Sequence, residues 1–251
     1  MSQPEFFETP QGRRIAYYKI NGQGPGVVFL GGFKSDMEGS KAQHLQNWAI
    51  AHERSFLRFD YSGHGQSSGV FEEGCIGDWA EDAKAAIEAL TDGPQVLVGS
   101  SMGGWISLLM SQRTTKVAGM VTIAAAPDFT EDGYWAAFNE SQRAQVMEEG
   151  QFAVPSDYGD PYIITRRLIE DGREQLVLRS PLSLPFPVRC LQGTADAAVS
   201  TETALRLLEH ATCDDIRLTL VKGEDHSFST PGCLVLIEKT IEKVLNRIDG
   251  A

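Results

Sequence analysis

Basic residues are in deficit in this sequence: 22 Lys and Arg stand against 34 Asp and Glu, a formal net charge of −12 over 251 residues. A chain this acidic has no general attraction for nucleic acid or an anionic membrane surface, since both demand a basic face. Cysteine is scarce as well. Cys75, Cys190, Cys213 and Cys233 are scattered with no CxxC spacing, which argues against a disulfide framework in a chain of this size. No apolar run approaches the ~18 residues of a membrane-spanning helix. The opening stretch, "MSQPEFFETPQG", has neither a basic start followed by an apolar core nor an Arg- and Ser-rich amphipathic pattern. These absences lead us to expect a soluble cytoplasmic protein with no stable membrane insertion and no nucleic-acid partner. They leave its oligomeric state unread.

What is present is a rhythm. The runs Phe6–Thr9 and Arg14–Ile20 flank "PQG" and predict a β-hairpin. "GVVFLGGF" (26–33), "SFLRFD" (55–60), "QVLVGS" (95–100), "VAGMVTIAAAP" (117–127), "FPVRCLQG" (186–193) and "DIRLTLVKG" (215–223) are apolar runs of strand length. Segments of helical spacing separate them, such as "GDWAEDAKAAIEALTDG" and "TETALRLLEHA". Strands alternating with helices predict βαβ units and a mostly parallel central sheet with helices on both faces. The rhythm breaks after Pro127. Residues 128 to about 186 carry two helical patterns, roughly 132–148 and 160–171, and no clear strand. The expectation is one α/β domain over 1–251 with a helical cap at about 128–186, inserted before the strand at 188 and covering the C-terminal edge of the sheet, where such folds bind ligands.

The chemistry-bearing stretch is "VGSSMGGW". It contains G-x-S-x-G in one register only: Gly99, Ser100, Ser101, Met102, Gly103. Centring the motif on Ser100 would require glycine at Val98 and Met102. Ser101 is therefore the candidate nucleophile on a sharp strand-to-helix turn, where glycines let neighbouring backbone approach. Two later loops raise the signal. "GTADAAV" puts Asp196 after one strand and "EDHSF" puts His226 after the last, in the chain order Ser, Asp, His. The oxyanion donors expected are the backbone N–H groups of Met102 and of Phe33, in the loop "LGGFKSD".

Asp128, directly after the strand preceding the cap, is an alternative acid; Asp225 adjoins His226 too closely to fold back on it. "FDYSGHGQSSG" lacks both G-x-x-x-x-G-K-[ST] and a complete G-x-G-x-x-G, so it reads as a tight turn with His64 structural. His52-Glu53 lacks the second histidine of a zinc motif, and no metal or cofactor is expected. "YWAAF" and "QFAVP" either line an acyl pocket or pack the underside of the cap. Arg166 and Arg167 read as a solvated helix face rather than an anion site.

"GSSMGGW", "FDYSGHGQS", "GTADAAV" and "EDHSF", in this order, resemble the α/β-hydrolase superfamily over essentially the whole chain. "GGFKSDMEGSKA", "RFDYSG", "DGPQVLVGSSMGGW" and "VPSDY" resemble more narrowly a group of palmitoyl-protein thioesterases and acyl-glucuronide esterases with mitochondrial and bacterial members. The resemblance implies the α/β-hydrolase fold and a serine esterase or thioesterase with Ser101, Asp196 and His226 as its triad. It also implies no cofactor, and a small-molecule or lipid-acyl ester or thioester as substrate, an S-acylated protein included. The alternatives are a C–C bond hydrolase, a perhydrolase or an aminopeptidase of the same fold, and a non-catalytic ligand receptor. Two departures stand out: the chain starts at the fold without the targeting segment of the mitochondrial members, which suits the cytoplasmic expectation, and Ser227 occupies a position where relatives often carry a basic residue. In the oxyanion loop, Gly31 stands where many relatives have histidine.

Overall fold

The computed structural model describes residues 3–156 and 159–250. The last two residues of "VPSDY", 157 and 158, lie outside the described residues. The first half of the chain runs β1 (Glu5–Glu8), β2 (Arg14–Ile20), β3 (Gln23–Leu30), α1 (Ser40–Ala51), β4 (Arg54–Phe59), α2 (Ile76–Leu90), β5 (Gln95–Ser100), α3 (Met102–Met110) and β6 (Val117–Ile123). The insertion that follows holds a π-helical turn (Thr130–Trp135), α4 (Glu140–Glu148), β7 (Gln151–Ser156), β8 (Gly159–Thr165), α5 (Arg166–Glu174) and the two-residue β9 (Leu182–Ser183). The chain closes with β10 (Val188–Gly193), α6 (Thr201–His210), β11 (Ala211–Thr212), β12 (Ile216–Val221) and α7 (Pro231–Asp249).

Eight strands form one sheet in the order β1-β2-β4-β3-β5-β6-β10-β12. The β1–β2 hairpin joins it antiparallel, and every pairing from β4 to β12 is parallel. Strand residues alternate between two cores, as a period of two requires. Val28, Leu30, Leu57 and Leu97 pack with Trp79 and Ile87 of α2 and Trp105 and Ile106 of α3. Val27, Phe29, Phe56, Val96 and Val98 pack on the other face with Leu45 and Trp48 of α1 and Ile237, Ile241 and Val244 of α7. Parallel strands ordered this way bring the loops after β3, β5, β6, β10 and β12 to one edge.

The insertion differs from expectation in two ways. The pattern at 132–148 is not one helix. The π turn ends before Asn139, which starts α4 through a reciprocal capping box with Gln142. The pattern at 160–171 is strand before it is helix: β7 and β8 pair antiparallel, and α5 starts only after Thr165, whose side chain caps Leu168 N–H. The insertion thus combines helices with a β-hairpin rather than being purely helical. Its root is tied down electrostatically: Arg179 meets Asp128 and Asp132, and Arg206 of α6 meets Asp132 at 2.6 Å.

Candidate active site

A single residue, Ser101, separates the end of β5 from the start of α3. It sits at φ +54°, ψ −117°, a strained backbone for a residue with a Cβ and one that persists only when its surroundings over-determine it. They do so here. Ser101 N–H donates to Ile123 O at 2.9 Å, and Ser101 O accepts from Gly104 N–H at 2.9 Å and Ala126 N–H at 3.1 Å. The glycines at 99 and 103 follow from close approach. A Cβ on Gly99 would lie 2.3 Å from Gly103 O, and one on Gly103 would lie 2.0 Å from Leu30 O. Helix α3 can meet β3 and β5 this closely only without those side chains.

The strained turn points the Ser101 hydroxyl at a histidine. Ser101 Oγ lies 3.0 Å from His226 Nε2, and His226 Nδ1 lies 2.9 Å from Asp196 Oδ2. An ionised carboxylate accepts only, so Nδ1 donates to it and Nε2 is left to accept the serine proton. Asp196 is held from all sides: Gln192 Nε2 donates to Oδ2 at 2.9 Å, and the N–H groups of Ala198 and Val199 donate to Oδ1 at 2.9 and 2.8 Å. Burial alone would raise its pKa, but His226, the Val199 N–H and the Gln192 amide outweigh it and hold the carboxyl below the usual range.

The loop after β3 runs beside the serine. A Cβ on Gly32 would sit 3.4 Å from the Ser101 Cβ. Its conformation is set at the peptide level: Gly32 O accepts from Ser35 N–H at 3.2 Å and Ser35 Oγ–H at 2.9 Å, and Lys34, at φ +56°, donates its N–H to His64 Nε2 at 3.2 Å. Burial pushes His64 down to about 4, so the ring stays neutral and anchors this loop. Met102 is the first residue of α3 and fully buried; its N–H belongs to the first turn of the helix, which has no partner within the helix. The Phe33 ring is the hub of an aromatic cluster, with Phe71, Phe129 and Tyr162 rings at 4.8, 5.4 and 5.6 Å.

The rival acids are engaged elsewhere. Asp128 has a fully buried side chain that accepts from Val177 N–H at 2.8 Å, Leu178 N–H at 3.0 Å and Arg179 at 2.6 Å. Asp225 caps its own loop through Ser227 and Phe228. Arg166 pairs with Glu170, and Arg167 with Asp78, both away from the serine. Among the described residues no three His, Cys, Asp or Glu side chains converge as a metal site would require, and no helix is long and apolar enough to cross a membrane.

Ser101 and His226 open into a cleft of about 890 Å³ under the insertion. Its cap wall is apolar and aromatic: Phe129, Tyr134, Phe138, Phe152, Val154 and Tyr162. Outside the insertion the lining includes the polar side chains of Ser40, Lys41, Ser227 and Ser229. Most of "YWAAF" and "QFAVP" therefore faces the cleft. Trp135, Ala136, Gln151 and Ala153 are the exceptions; the Trp135 ring instead meets the guanidinium groups of Arg143 and Arg173, 5.4 and 4.6 Å from its centroid. Sequence reading missed Gln192, and with it the side-chain donor on Asp196; a glutamine at a strand end carries no motif.

A family model described as the alpha/beta hydrolase fold matches residues 27–162. Human palmitoyl-protein thioesterase ABHD10, mitochondrial, is 31% identical over 97% of this chain and 80% of its own length. A solved structure from Agrobacterium vitis, assigned as a hydrolase, superposes with a TM-score of 0.93 at 38% identity, covering 97% of this chain and 98% of that one. The mouse alpha/beta hydrolase domain-containing protein 10 does so with a TM-score of 0.91 at 28% identity, covering 98% and 100%. These relatives overturn the cytoplasmic expectation: the curated thioesterases that align along nearly all of this chain are mitochondrial by name. The physical reason is that a targeting address lies in a segment separable from the fold, so the composition of a folded domain does not encode its compartment.

Proposed function

The chain belongs to the α/β-hydrolase family and is a hydrolase of ester bonds, and from that premise we propose that it is a serine esterase and thioesterase working through an acyl-serine intermediate. In this reading Ser101 is the nucleophile. His226 takes its proton as the oxygen attacks the acyl carbonyl, and Asp196 fixes the imidazole tautomer and stabilises its positive charge. The backbone N–H groups of Met102 and Phe33 stabilise the tetrahedral oxyanion, each contributing on the order of 3 kcal/mol. His226 then protonates the departing thiol or alcohol, and water activated by the same imidazole releases the acid.

The observation that carries this reading is the pair of contacts through one imidazole, 3.0 Å to Ser101 Oγ and 2.9 Å to Asp196 Oδ2. The activity that names the ABHD10 relatives, palmitoyl-protein thioesterase, supports a thioester or ester of an apolar acyl group. The cleft supports the same class, because its cap wall offers aromatic surface to an acyl chain while polar Ser227 and Ser229 line it beside His226. The insertion acts in this account as a cap of the single domain, and it selects the acyl group. One substrate panel on wild type and Ser101→Ala tests the proposal: short and long aryl esters, acyl-CoA, an S-acylated peptide and an acyl glucuronide. Turnover of esters or thioesters lost in the variant is the expected result. Preference for cleaving a C–C bonded diketone over every ester would overturn it.

A further inference from the structure

Gln192 occupies the penultimate position of β10 and is 1% exposed. Its amide nitrogen approaches three oxygens: Asp196 Oδ2 and Val199 O, each at 2.9 Å, and Gly193 O at 3.3 Å. Its two hydrogens serve the two short contacts. The carboxylate oxygen it reaches is the one that accepts from His226 Nδ1. The amide therefore does two things at once: it holds Oδ2 together with the imidazole, and it ties the Val199 backbone into the turn that carries Asp196.

The other end of the same side chain shows which half matters. Gln192 Oε1 is buried with no hydrogen-bond partner among the described residues. An unpaired buried acceptor destabilises a fold, and a hydrocarbon side chain of similar shape would avoid that cost. The role of a glutamine here is thus on its donor side. We propose that Gln192 is a positioning residue for ester hydrolysis, its amide holding the carboxylate that orients His226; this rests on the reading of Asp196 as the acid.

Loss of the amide has a chemical signature. Without that donor the charge on Oδ2 is more localised, and apart from His226 the carboxylate is held only through Oδ1, by the Ala198 and Val199 N–H groups. The imidazolium is then stabilised more and aimed less well. The charged or titratable groups around His226 are Asp196 from the β10 loop, Asp225 on its own loop and the Lys41 ammonium from α1, which donates to Ser227 O. Gln192→Met alters only the first.

The experiment compares Gln192→Met, Gln192→Glu and Asp196→Asn with wild type on one neutral aryl ester across pH, with thermal midpoints measured alongside. The Met variant should lose ten- to a hundredfold in kcat with KM within threefold. The acid limb of its kcat/KM profile should move up by half to one pH unit, with little change in thermal midpoint. The Glu variant should lose more at high pH, where its carboxyl is ionised and sets an acceptor against an acceptor. Met and Glu variants within threefold of wild type, or losses that follow thermal stability with no movement of the acid limb, overturn the proposal while leaving Asp196 as the acid if Asp196→Asn is inactive. An Asp196→Asn variant within tenfold of wild type removes the acid assignment and this proposal with it.

Discussion

Arg179 Nη1 lies 2.6 Å from Asp128 Oδ2, where the chain leaves β6 for the cap. Asp128 also accepts two backbone N–H groups, from Val177 and Leu178, so one carboxylate fastens both ends of the insertion. Arg179 is partly exposed, and solvent screening makes the ion pair the smaller part of this. The buried N–H groups are the larger part, because each loses its acceptor if the carboxylate goes.

Asp128→Ala should therefore cost about 1–3 kcal/mol of stability, seen as a fall of several degrees in thermal midpoint. The kcat/KM of the folded variant on a short aryl ester should stay within threefold of wild type. A loss of a thousandfold or more with the midpoint unchanged would make Asp128 the catalytic acid instead of Asp196.

A second buried carboxylate gives a pH-dependent stability. Asp60 is buried, and burial raises its pKa to about 6 despite the N–H groups of Gln66 and Met37 that it accepts. Below about pH 4 it is protonated in both folded and unfolded chains. Between about pH 4 and 6 the unfolded chain ionises while the folded one keeps its proton. Folding stability thus falls as pH rises through that window and stays lower above it, by about 3 kcal/mol. The stability of wild type minus that of Asp60→Asn, from urea unfolding, should be smaller at pH 7 than at pH 4 by about this amount. A difference that does not change with pH contradicts the assignment.

The sheet and the elbow were legible in the sequence because each obeys a local rule. Strand runs such as "VVFL" alternate between two cores, and the glycines flanking Ser101 answer to contacts of under 3 Å that no Cβ could share. The loops bearing Asp196 and His226 were legible from their places after β10 and β12. The cap was read less well. Pro155 and Pro161 interrupt the runs that form β7 and β8, and proline inside a run weakens any strand reading. The start of α5 was nonetheless marked by Thr165, and the break before α4 by Asn139 and Gln142; both are capping signals that helical periodicity alone passes over. The engagement of Asp128 depends on Arg179, 51 residues away, and no local pattern encodes it.

The close approach of α3 to β3 makes a sharp prediction at Gly103. A Cβ there would lie 2.0 Å from Leu30 O, a backbone atom that cannot step aside like a flexible side chain. Gly103→Ala should cost upwards of about 3 kcal/mol and lower the thermal midpoint by more than about 5 °C. The surviving folded fraction should react with a fluorophosphonate more slowly, because the elbow has shifted. Wild-type stability and labelling rate would show that the elbow tolerates a methyl group there.

Acyl preference should respond to Phe138. This residue lines the cleft with its ring 5.3 Å from that of Phe152 and 6.3 Å from that of Tyr134. Each methylene buried against such a wall contributes about 0.8 kcal/mol. Phe138→Ala should lower the ratio of kcat/KM for a decanoyl ester to that for an acetyl ester about tenfold. An unchanged ratio would move the acyl chain to another wall of the cleft.

The most direct test of the account is the mass of the intact protein after treatment with a fluorophosphonate, followed by mapping of the modified peptide. The account predicts one adduct per chain, carried on Ser101, formed quickly in wild type and absent from Ser101→Ala, with ester and thioester turnover lost in step. Full labelling of Ser101→Ala, or turnover retained in it, would contradict Ser101 as the nucleophile.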